Sequence, residues 1–233
     1  MHSFLLIGQS NMAGRGKLAE AVPLDTSRIF TLRNGRFQKM FRPINPDRRD
    51  AGVSLAESFA ERYVKRYDVD VGLICCADGN TSLAMWQPGG VLFENAVFQA
   101  RLAMGNSELK GILWHQGEAD CAPERAAVYD KLFLPILHAL RKEFGDVPVL
   151  LGGLGDFLKD CPLDDRLKNY TLVNEGLRRV AQTQPMTGFV SAEGLGANPD
   201  SLHFNAPSLH EFGIRYFNAY EALPSGNARM ELR

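Results

Sequence analysis

The amino-acid sequence predicts an α/β protein, a three-layer α/β/α sandwich around a central, mostly parallel sheet of five strands. Short apolar runs end in polar, glycine-containing loops, and segments with the helical period of apolar residues lie between them. Such alternation forms right-handed βαβ units, whose helices cover both faces of a parallel sheet. The length of 233 residues suits one domain. We therefore expect a single domain over residues 1–233, with a disordered tail over roughly the last ten residues.

The predicted strands are short apolar runs, a composition typical of strands that are buried on both faces. The first strand covers residues 4–7 and ends at Gly8. The other four strands are predicted at residues 69–76, 109–115, 147–151 and 188–191. Residues 19–50 are expected to be irregular, apart from a short strand at 28–32. The charged run at 47–50 is expected to form a solvated loop.

The segments between the strands have the apolar spacing of amphipathic helices. Leu55, Phe59 and Tyr63 recur at the helical period, and Ser54 is a suitable N-cap in front of them. Pro135 is expected to kink the third helix. The helices are predicted at residues 54–67, 93–104, 123–144, 163–182 and 208–223.

Composition and charge exclude several classes of function. The net charge is −1 and no block of lysine or arginine occurs, so we expect no nucleic-acid partner and no membrane partner. No apolar run is long enough to span a membrane. The four cysteines form no C-x-x-C pair, which predicts no metal site and is typical of a reducing compartment. Because the N-terminal apolar run is too short for a signal peptide, we expect a cytoplasmic location.

The polar loops at the strand ends carry the residue types that acyl transfer needs. Ser10 follows the first strand, and a serine hydroxyl needs an adjacent base before it can act as a nucleophile. Of the five histidines, His203 is the best candidate base, because Asp200 lies three residues before it and can reach its ring. Each signal is weak alone, since serine is common in turns. The α/β-hydrolase elbow Gly-x-Ser-x-Gly is excluded, because Met12 stands where that motif has glycine.

Four blocks of the sequence together resemble the SGNH/GDSL hydrolase superfamily, whose fold is flavodoxin-like. The blocks are Gly8-Gln9-Ser10-Asn11-Met12, Gly79-Asn80-Thr81-Ser82, Trp114-His115-Gln116-Gly117-Glu118 and Asp200-Ser201-Leu202-His203. Within that superfamily the chain is similar to carbohydrate esterase family 6 and to sialate O-acetylesterase-like proteins, because segments 8–16 and 114–118 are specific to that branch. The blocks follow the family's order and span nearly the whole chain.

The resemblance implies a role for each matching residue. Ser10 corresponds to the nucleophile, His203 to the general base and Asp200 to the partner of that base. The implied donors of the oxyanion hole are the Ser10 N–H, the Gly79 N–H and the Gln116 side chain. No metal and no cofactor is implied. One departure from the family pattern is Asn80, which stands where the branch usually has a second glycine.

Four further residues are expected to contact substrate. These are Gln9, Asn80, Trp86 and Glu118. For two of them a structural role is an open alternative. Trp86 either stacks on a sugar or packs in the core. Glu118 either touches substrate, pairs with Arg15 or caps a helix.

The expected function is that of a serine esterase that removes O-acetyl groups from carbohydrate, of the acetylxylan or sialate type, through an acetyl-serine intermediate. Its partner is then a small-molecule or oligosaccharide acetyl ester. Two alternatives remain open from the sequence. One is a short-chain arylesterase or thioesterase on the same fold, and the other is a carbohydrate-binding protein without catalytic activity. The sugar, the acetylated position and the oligomeric state do not follow from the sequence.

Overall fold

The computed structural model describes residues 1–224, in which seven strands form one sheet. The strands are β1 (His2–Gly8), β2 (Ile29–Arg33), β3 (Arg36–Lys39), β4 (Val71–Cys75), β5 (Glu108–His115), β6 (Val149–Gly152) and β7 (Thr187–Val190). Their order is β3-β2-β4-β1-β5-β6-β7, and only the β2–β3 pair is antiparallel. The predicted mostly parallel sheet is confirmed. The predicted tail lies outside the described residues.

The number of strands is seven rather than the predicted five, because a hairpin extends one edge of the sheet. β2 corresponds to the short strand expected at 28–32, and β3 was not expected. Asn34 and Gly35 join the two strands, and both have positive φ, as a two-residue hairpin turn requires. β3 reads Arg-Phe-Gln-Lys and no residue in it is fully buried. An exposed edge strand of this kind has no apolar run by which to recognise it.

Helices connect the strands, and their positions follow the predicted ones with one difference. They are α1 (Ser10–Ala13), α2 (Leu55–Tyr67), α3 (Val91–Met104), α4 (Pro123–Ala126), α5 (Tyr129–Phe144), α6 (Tyr170–Thr183) and α7 (Ala206–Ala222). The helix predicted at 123–144 is divided into α4 and α5, and Pro135 lies inside α5. Ser54 caps α2 and forms a capping box with Glu57. No helix within residues 1–224 is both long and apolar enough to cross a lipid bilayer.

The sheet separates two apolar cores, which makes the fold a three-layer sandwich as predicted. Side chains alternate between the two faces of a strand. On β1, Phe4 and Leu6 pack in the core beneath α2 and α7, whereas Leu5 and Ile7 pack in the core beneath α3, α5 and α6. The central strand is therefore covered by helices on both faces, and its only exit to solvent is at its ends.

The strand order places the end of β1 at the position where α/β sheets bind ligands. Without the hairpin, the order β4-β1-β5-β6-β7 is the doubly wound order 2-1-3-4-5, whose switch point lies between β1 and β5. The ends of these two strands are in close contact. A Cβ atom at Gly8 would lie 2.0 Å from the carbonyl oxygen of His115, and Gly8 has a φ of +134°. Glycine is therefore required where β1 delivers Ser10.

Candidate active site

The segments that follow β1 and β3 to β7 surround a cavity of about 490 Å³ at the carboxyl ends of the parallel strands. A volume of this size is ordinary for a site that binds a small ligand. Its lining includes Gln9, Ser10, Arg15, Gly79, Asn80, Glu118 and His203. Most of the residues predicted from the four sequence blocks therefore meet in one place.

Ser10, His203 and Asp200 are joined by a continuous line of hydrogen bonds. The Ser10 Oγ lies 3.0 Å from the Nε2 of His203, although the two residues are 193 positions apart. The Nδ1 of His203 lies 2.7 Å from the Oδ2 of Asp200. The second carboxylate oxygen, Oδ1, accepts the N–H groups of Leu202 and His203, so the turn that carries the histidine also fixes the acid.

The carboxyl group of Asp200 is held in its ionised form. Partial burial by itself would raise its pKa, but the N–H and ring of His203 and the N–H of Leu202 outweigh burial and lower the pKa below the usual value. An ionised carboxylate only accepts hydrogen bonds, so the Nδ1 of His203 carries the proton that lies between them. The Nε2 atom of the neutral ring then has a free lone pair facing the hydroxyl of Ser10.

Asn11 connects the helical turn that carries Ser10 to the loop that carries His203. Its Nδ2 donates to the carbonyl of Leu202 at 3.2 Å, and its Oδ1 accepts the N–H of Phe204 at 3.1 Å. The residues on both sides of His203 are therefore held by one buried amide. No role for Asn11 follows from the sequence, in which its only signal is a polar side chain directly after Ser10.

Glu118 stabilises Asn11 from the far side rather than pairing with Arg15. Its Oε1 accepts the Nδ2 of Asn11 at 2.6 Å and lies 3.4 Å from the Nε2 of His115. Burial by itself would raise the pKa of Glu118, but the ring of His115 and the amide of Asn11 outweigh it and lower the pKa. Glu118 lines the cavity, so a structural role and a contact with substrate are compatible.

Gln116 does not line the cavity but lies behind Gln9. It is fully buried, and its Nε2 has three acceptors within reach: Asp120 Oδ2 at 2.7 Å, the carbonyl of Thr81 at 2.9 Å and Gln9 Oε1 at 3.1 Å. An amide nitrogen has two hydrogens, so all of its donor capacity is used inside the protein. The structure therefore does not place Gln116 where a direct oxyanion donor was expected.

Gln9 lines the cavity, and the oxygen of its amide group is held by donors inside the protein. Its Oε1 accepts Gln116 Nε2 and the backbone N–H groups of Gly117 at 3.3 Å and Ala119 at 3.4 Å. Backbone N–H groups only donate, so they fix which end of the Gln9 amide is oxygen. The Nε2 group is the end left to meet a ligand, because Gln9 also lines the cavity.

The Gly79 N–H lies at the cavity but already has an acceptor. It donates to the Oδ2 of Asp47 at 2.8 Å, and Asp47 in turn forms a bidentate ion pair with Arg15. A Cβ atom at Gly79 would lie 2.7 Å from the Arg15 Nη2, which explains the glycine. The side chain of Asp47 is only 5% exposed. The expectation that the charged run 47–50 is solvated is therefore wrong for Asp47.

Asn80 and Trp86, the two remaining residues predicted to contact substrate, lie in different environments. Asn80 lines the cavity and has a φ of +61°, a left-handed conformation that asparagine tolerates better than most residues. Trp86 is fully buried, donates its Nε1 to the Oγ1 of Thr81 at 3.0 Å and packs edge to face on Trp114. Its position corresponds to the core alternative, because no part of its ring reaches the cavity.

Comparisons with known proteins agree with the arrangement of the fold. A model of the family described as carbohydrate esterase, sialic acid-specific acetylesterase, matches residues 1–222. A probable carbohydrate esterase from Arabidopsis thaliana is 26% identical over 250 residues, covering 93% of this chain and 89% of the relative. The X-ray structure of that Arabidopsis protein has a TM-score of 0.82 and 24% identity, covering 95% of this chain and 98% of that one.

Two further solved structures have the same fold at lower identity. NanS has a TM-score of 0.71 and 16% identity, covering 94% of this chain and 96% of its own. A carbohydrate acetylesterase from Xanthomonas citri has a TM-score of 0.68 and 19% identity, covering 95% of this chain and 56% of that one. The family model matches nearly all of the described residues rather than a single motif. The chain therefore belongs to the carbohydrate esterase family of sialic acid-specific acetylesterases, and it is a carboxylic ester hydrolase.

Proposed function

We propose that this protein is a serine esterase that removes acetyl groups from acetylated carbohydrate through an acetyl-Ser10 intermediate. The observation that carries the proposal is the hydrogen-bonded line from Ser10 Oγ through His203 to Asp200, which ends at a cavity. A nucleophile, a base in contact with it and an acid that orients the base are the groups that acyl transfer requires.

In the first half of the reaction the hydroxyl of Ser10 attacks the ester carbonyl. The Nε2 of His203 takes the Oγ proton as the new C–O bond forms, and the ionised Asp200 stabilises the imidazolium that results. When the tetrahedral intermediate collapses, the bond to the sugar oxygen breaks. His203 gives its proton to that oxygen, so the sugar leaves as an alcohol and the acetyl group stays on Ser10.

In the second half a water molecule replaces the sugar alcohol. His203 takes one proton from the water, whose oxygen attacks the acetyl carbonyl of acetyl-Ser10. Collapse of the second tetrahedral intermediate breaks the bond to Oγ, and His203 returns the proton to Ser10. Acetate is released and the resting hydroxyl is restored. All proton transfers use one ring nitrogen, because Asp200 keeps the other nitrogen protonated.

The negative charge of the intermediate needs donors that are already in place. The Ser10 N–H is the first, since an N–H in the first turn of a helix has no partner within that helix. The Nε2 of Gln9 is the second, and the buried Gln116 and Asp120 keep it oriented. The Gly79 N–H has one hydrogen, so it joins them only when the substrate replaces Asp47 as its acceptor.

Acetylated carbohydrate is the substrate class that best fits the lining of the cavity. Arg48, Asp50 and Asn80 are exposed polar residues of its lining, and they can contact sugar hydroxyl groups. The lining also includes the apolar residues Ala119, Ala122, Leu163, Leu167 and Leu202, so the length of the acyl group is tested directly with esters of different chain length. Kinship with carbohydrate esterases supports the same choice. A screen of acetylated substrates distinguishes the sialate type from the acetylxylan type.

The test measures acetate release from acetylated xylan, acetylated sialic acid and simple sugar acetates by the wild type and by Ser10→Ala. The variant should lose at least about a thousandfold in kcat, as removal of a serine nucleophile does elsewhere. Ser82→Ala is the matched control, since Ser82 makes no capping bond and does not line the cavity. Unchanged turnover by Ser10→Ala contradicts the mechanism, and a strong preference for 4-nitrophenyl octanoate over the acetate contradicts the substrate class.

A further inference from the structure

We infer that a second cavity beside Ser10 binds a neutral sugar residue of the oligosaccharide that carries the acetyl ester. This inference rests on the proposed function, because it names the substrate as an oligosaccharide rather than a single sugar. The second cavity measures about 530 Å³ and lies between the β2–β3 hairpin, segment 41–48 and the residues that follow β4. Its volume is close to that of the first cavity.

The two cavities are adjacent and share one wall. Arg48 lines both of them, and its guanidinium bonds to Asp78 Oδ1 at 2.7 Å and to the carbonyl of Gly79 at 3.2 Å. Asp47, which accepts the Gly79 N–H, lines the second cavity. The side chain of Arg48 is 51% exposed at this boundary, so a chain of linked sugars that starts at Ser10 would cross over Arg48 to reach the second cavity.

The exposed aromatic ring of Phe41 lies at the second cavity and is held in place by Arg33. Phe41 is 54% exposed and lines the cavity. The guanidinium carbon of Arg33 lies 3.9 Å from the centre of its ring, and the same guanidinium donates to the carbonyl oxygens of Phe41 and Pro43. A fixed, solvent-facing ring offers an apolar surface for the C–H face of a pyranose while losing little conformational freedom on binding.

Amide side chains beside the ring can meet the hydroxyl groups of the sugar. Asn34 and Gln38 line the cavity, and Gln38 uses its Nε2 on the carbonyl of Arg33, which leaves its Oε1 as an acceptor. Asn45 is 5% exposed and donates its Nδ2 to the carbonyl of Ala77. Its Oδ1 accepts no hydrogen bond from any described residue. That oxygen is shielded from solvent, so Asn45 forms part of the cavity wall and the sugar hydroxyl groups are left to Asn34 and Gln38.

The charges around the second cavity favour a neutral sugar. Two cations, Arg33 and Arg48, face two anions, Asp47 and Asp78, among the lining residues. Arg48 is paired with Asp78, Asp47 with Arg15, and Arg33 is occupied by backbone carbonyls. The charges of the lining residues sum to zero, so the second cavity has no net attraction for a carboxylate on the ligand. Xylose, mannose or glucose units meet this condition.

The experiment compares chain length in three series of substrates. The wild type, Phe41→Ala, Phe41→Trp and Phe98→Ala are assayed with acetylated xylotriose, mannotriose and cellotriose and with the matching monosaccharide acetates. Phe98 is the control because it is 63% exposed on α3 and lines neither cavity. The wild type should have a kcat/KM about tenfold higher for the trisaccharide in at least one series, a difference typical of one good binding contact. Phe41→Ala should lose that advantage through KM, whereas Phe41→Trp and Phe98→Ala should keep it.

Three outcomes overturn the inference without touching the proposed function. They are equal kcat/KM for both lengths in all three series, a trisaccharide advantage that survives Phe41→Ala, and a preference for O-acetylated sialyllactose over every neutral trisaccharide. Absence of acetate release from any substrate contradicts the proposed function instead. In that case calorimetric titration with the unacetylated trisaccharides decides: binding that Phe41→Ala abolishes supports the second cavity, and no binding overturns it.

Discussion

The two sides of Ser10 are organised in different ways. The acid–base side, formed by Asp200 and His203, is a single turn in which the acid binds the backbone and the ring of its own histidine three residues later. The donor side, formed by Gln9, Gln116 and Asp120, is a line of buried side chains from two separate parts of the chain. The acid–base side is positioned by hydrogen bonds within one turn, whereas the donor side is positioned by hydrogen bonds between buried side chains.

This difference determines how a substitution acts. On the acid–base side a change removes a reacting group or its orientation and leaves the core intact, because the turn lies at the surface of the fold. On the donor side Asp120 is fully buried and accepts Gln116 Nε2, the Leu83 N–H and the Arg125 guanidinium. A change there leaves a buried polar group without a partner, so activity and stability fall together.

The largest effect is expected on the acid–base side, from Asp200→Asn. The amide has nearly the shape of the acid, but it can donate to Nδ1 and thereby favour the wrong tautomer of His203. We expect kcat to fall roughly 10⁴-fold, as the same change does in other triads. The loss in free energy of unfolding, measured by thermal denaturation, should be far smaller than the increase in activation free energy. Steady-state kinetics with 4-nitrophenyl acetate measures the first quantity, and a kcat within tenfold of the wild type contradicts the role of Asp200.

The second effect distinguishes direct from indirect donors on the other side of Ser10. Gln9→Leu should lower kcat by about 10²–10³ because one oxyanion donor is lost. Gln116→Leu should lower kcat less, but it should lower the free energy of unfolding by about 1–3 kcal/mol since Asp120 loses a buried donor. Gln182→Leu, at an exposed position on α6, is the control. If Gln116→Leu reduces kcat more than Gln9→Leu and leaves stability unchanged, Gln116 is the direct oxyanion donor and Gln9 the indirect one.

A third, smaller effect is expected where the two sides meet. Asn11→Ala removes the bonds to Leu202 and Phe204 on either side of His203. The imidazole then loses its fixed distance to Ser10, and small displacements of catalytic groups are costly. We expect kcat to fall by about 10- to 100-fold with little change in KM. A change in KM alone shows that Asn11 binds substrate rather than positioning the histidine.

The smallest effect concerns the pH dependence of stability. Glu118 has a lowered pKa in the folded protein, so its contribution to stability is present above its unfolded pKa of about 4.3 and is lost as the pH falls through the folded value. Glu118→Gln should therefore flatten the curve of melting temperature against pH on the acid side of about 4.3. The curve from differential scanning calorimetry should keep its shape at neutral pH. If Glu118→Gln leaves the acid part of this curve unchanged, Glu118 is not ionised in the folded protein.

The same contrast explains how much could be predicted from the sequence. Ser10, Asp200 and His203 are predicted because four sequence blocks in order resemble a known superfamily, whereas a strand end or an Asp-x-x-His turn alone is a weak signal. The alternation of strands and helices predicts the sheet that brings the blocks together. The roles of Gln9 and Gln116 depend on contacts 107 residues apart. Asp47 looked solvated because its partner, Arg15, lies 32 residues away. Local patterns do not encode such contacts.

Trp86 and β3 are two further features whose positions are decided by packing contacts rather than by local sequence patterns. A tryptophan in a polar loop segment is equally compatible with a sugar-binding wall and with the core, and only the bond to Thr81 and the contact with Trp114 decide. β3 is polar and lies at the edge of the sheet, so its pairing with β2 is its main structural signal. The Asn34-Gly35 turn was the local feature that could have revealed it.

The most direct test of the central claim is the site of covalent labelling by a serine-reactive fluorophosphonate. The wild type is inactivated with a small excess of the reagent, digested and analysed by mass spectrometry. We expect one label per chain, on the peptide that contains Ser10, with loss of esterase activity in proportion to labelling. The His203→Ala variant should be labelled far more slowly. Complete inactivation with the label on another residue, or full activity with Ser10 labelled, would contradict the assignment of Ser10 as the nucleophile.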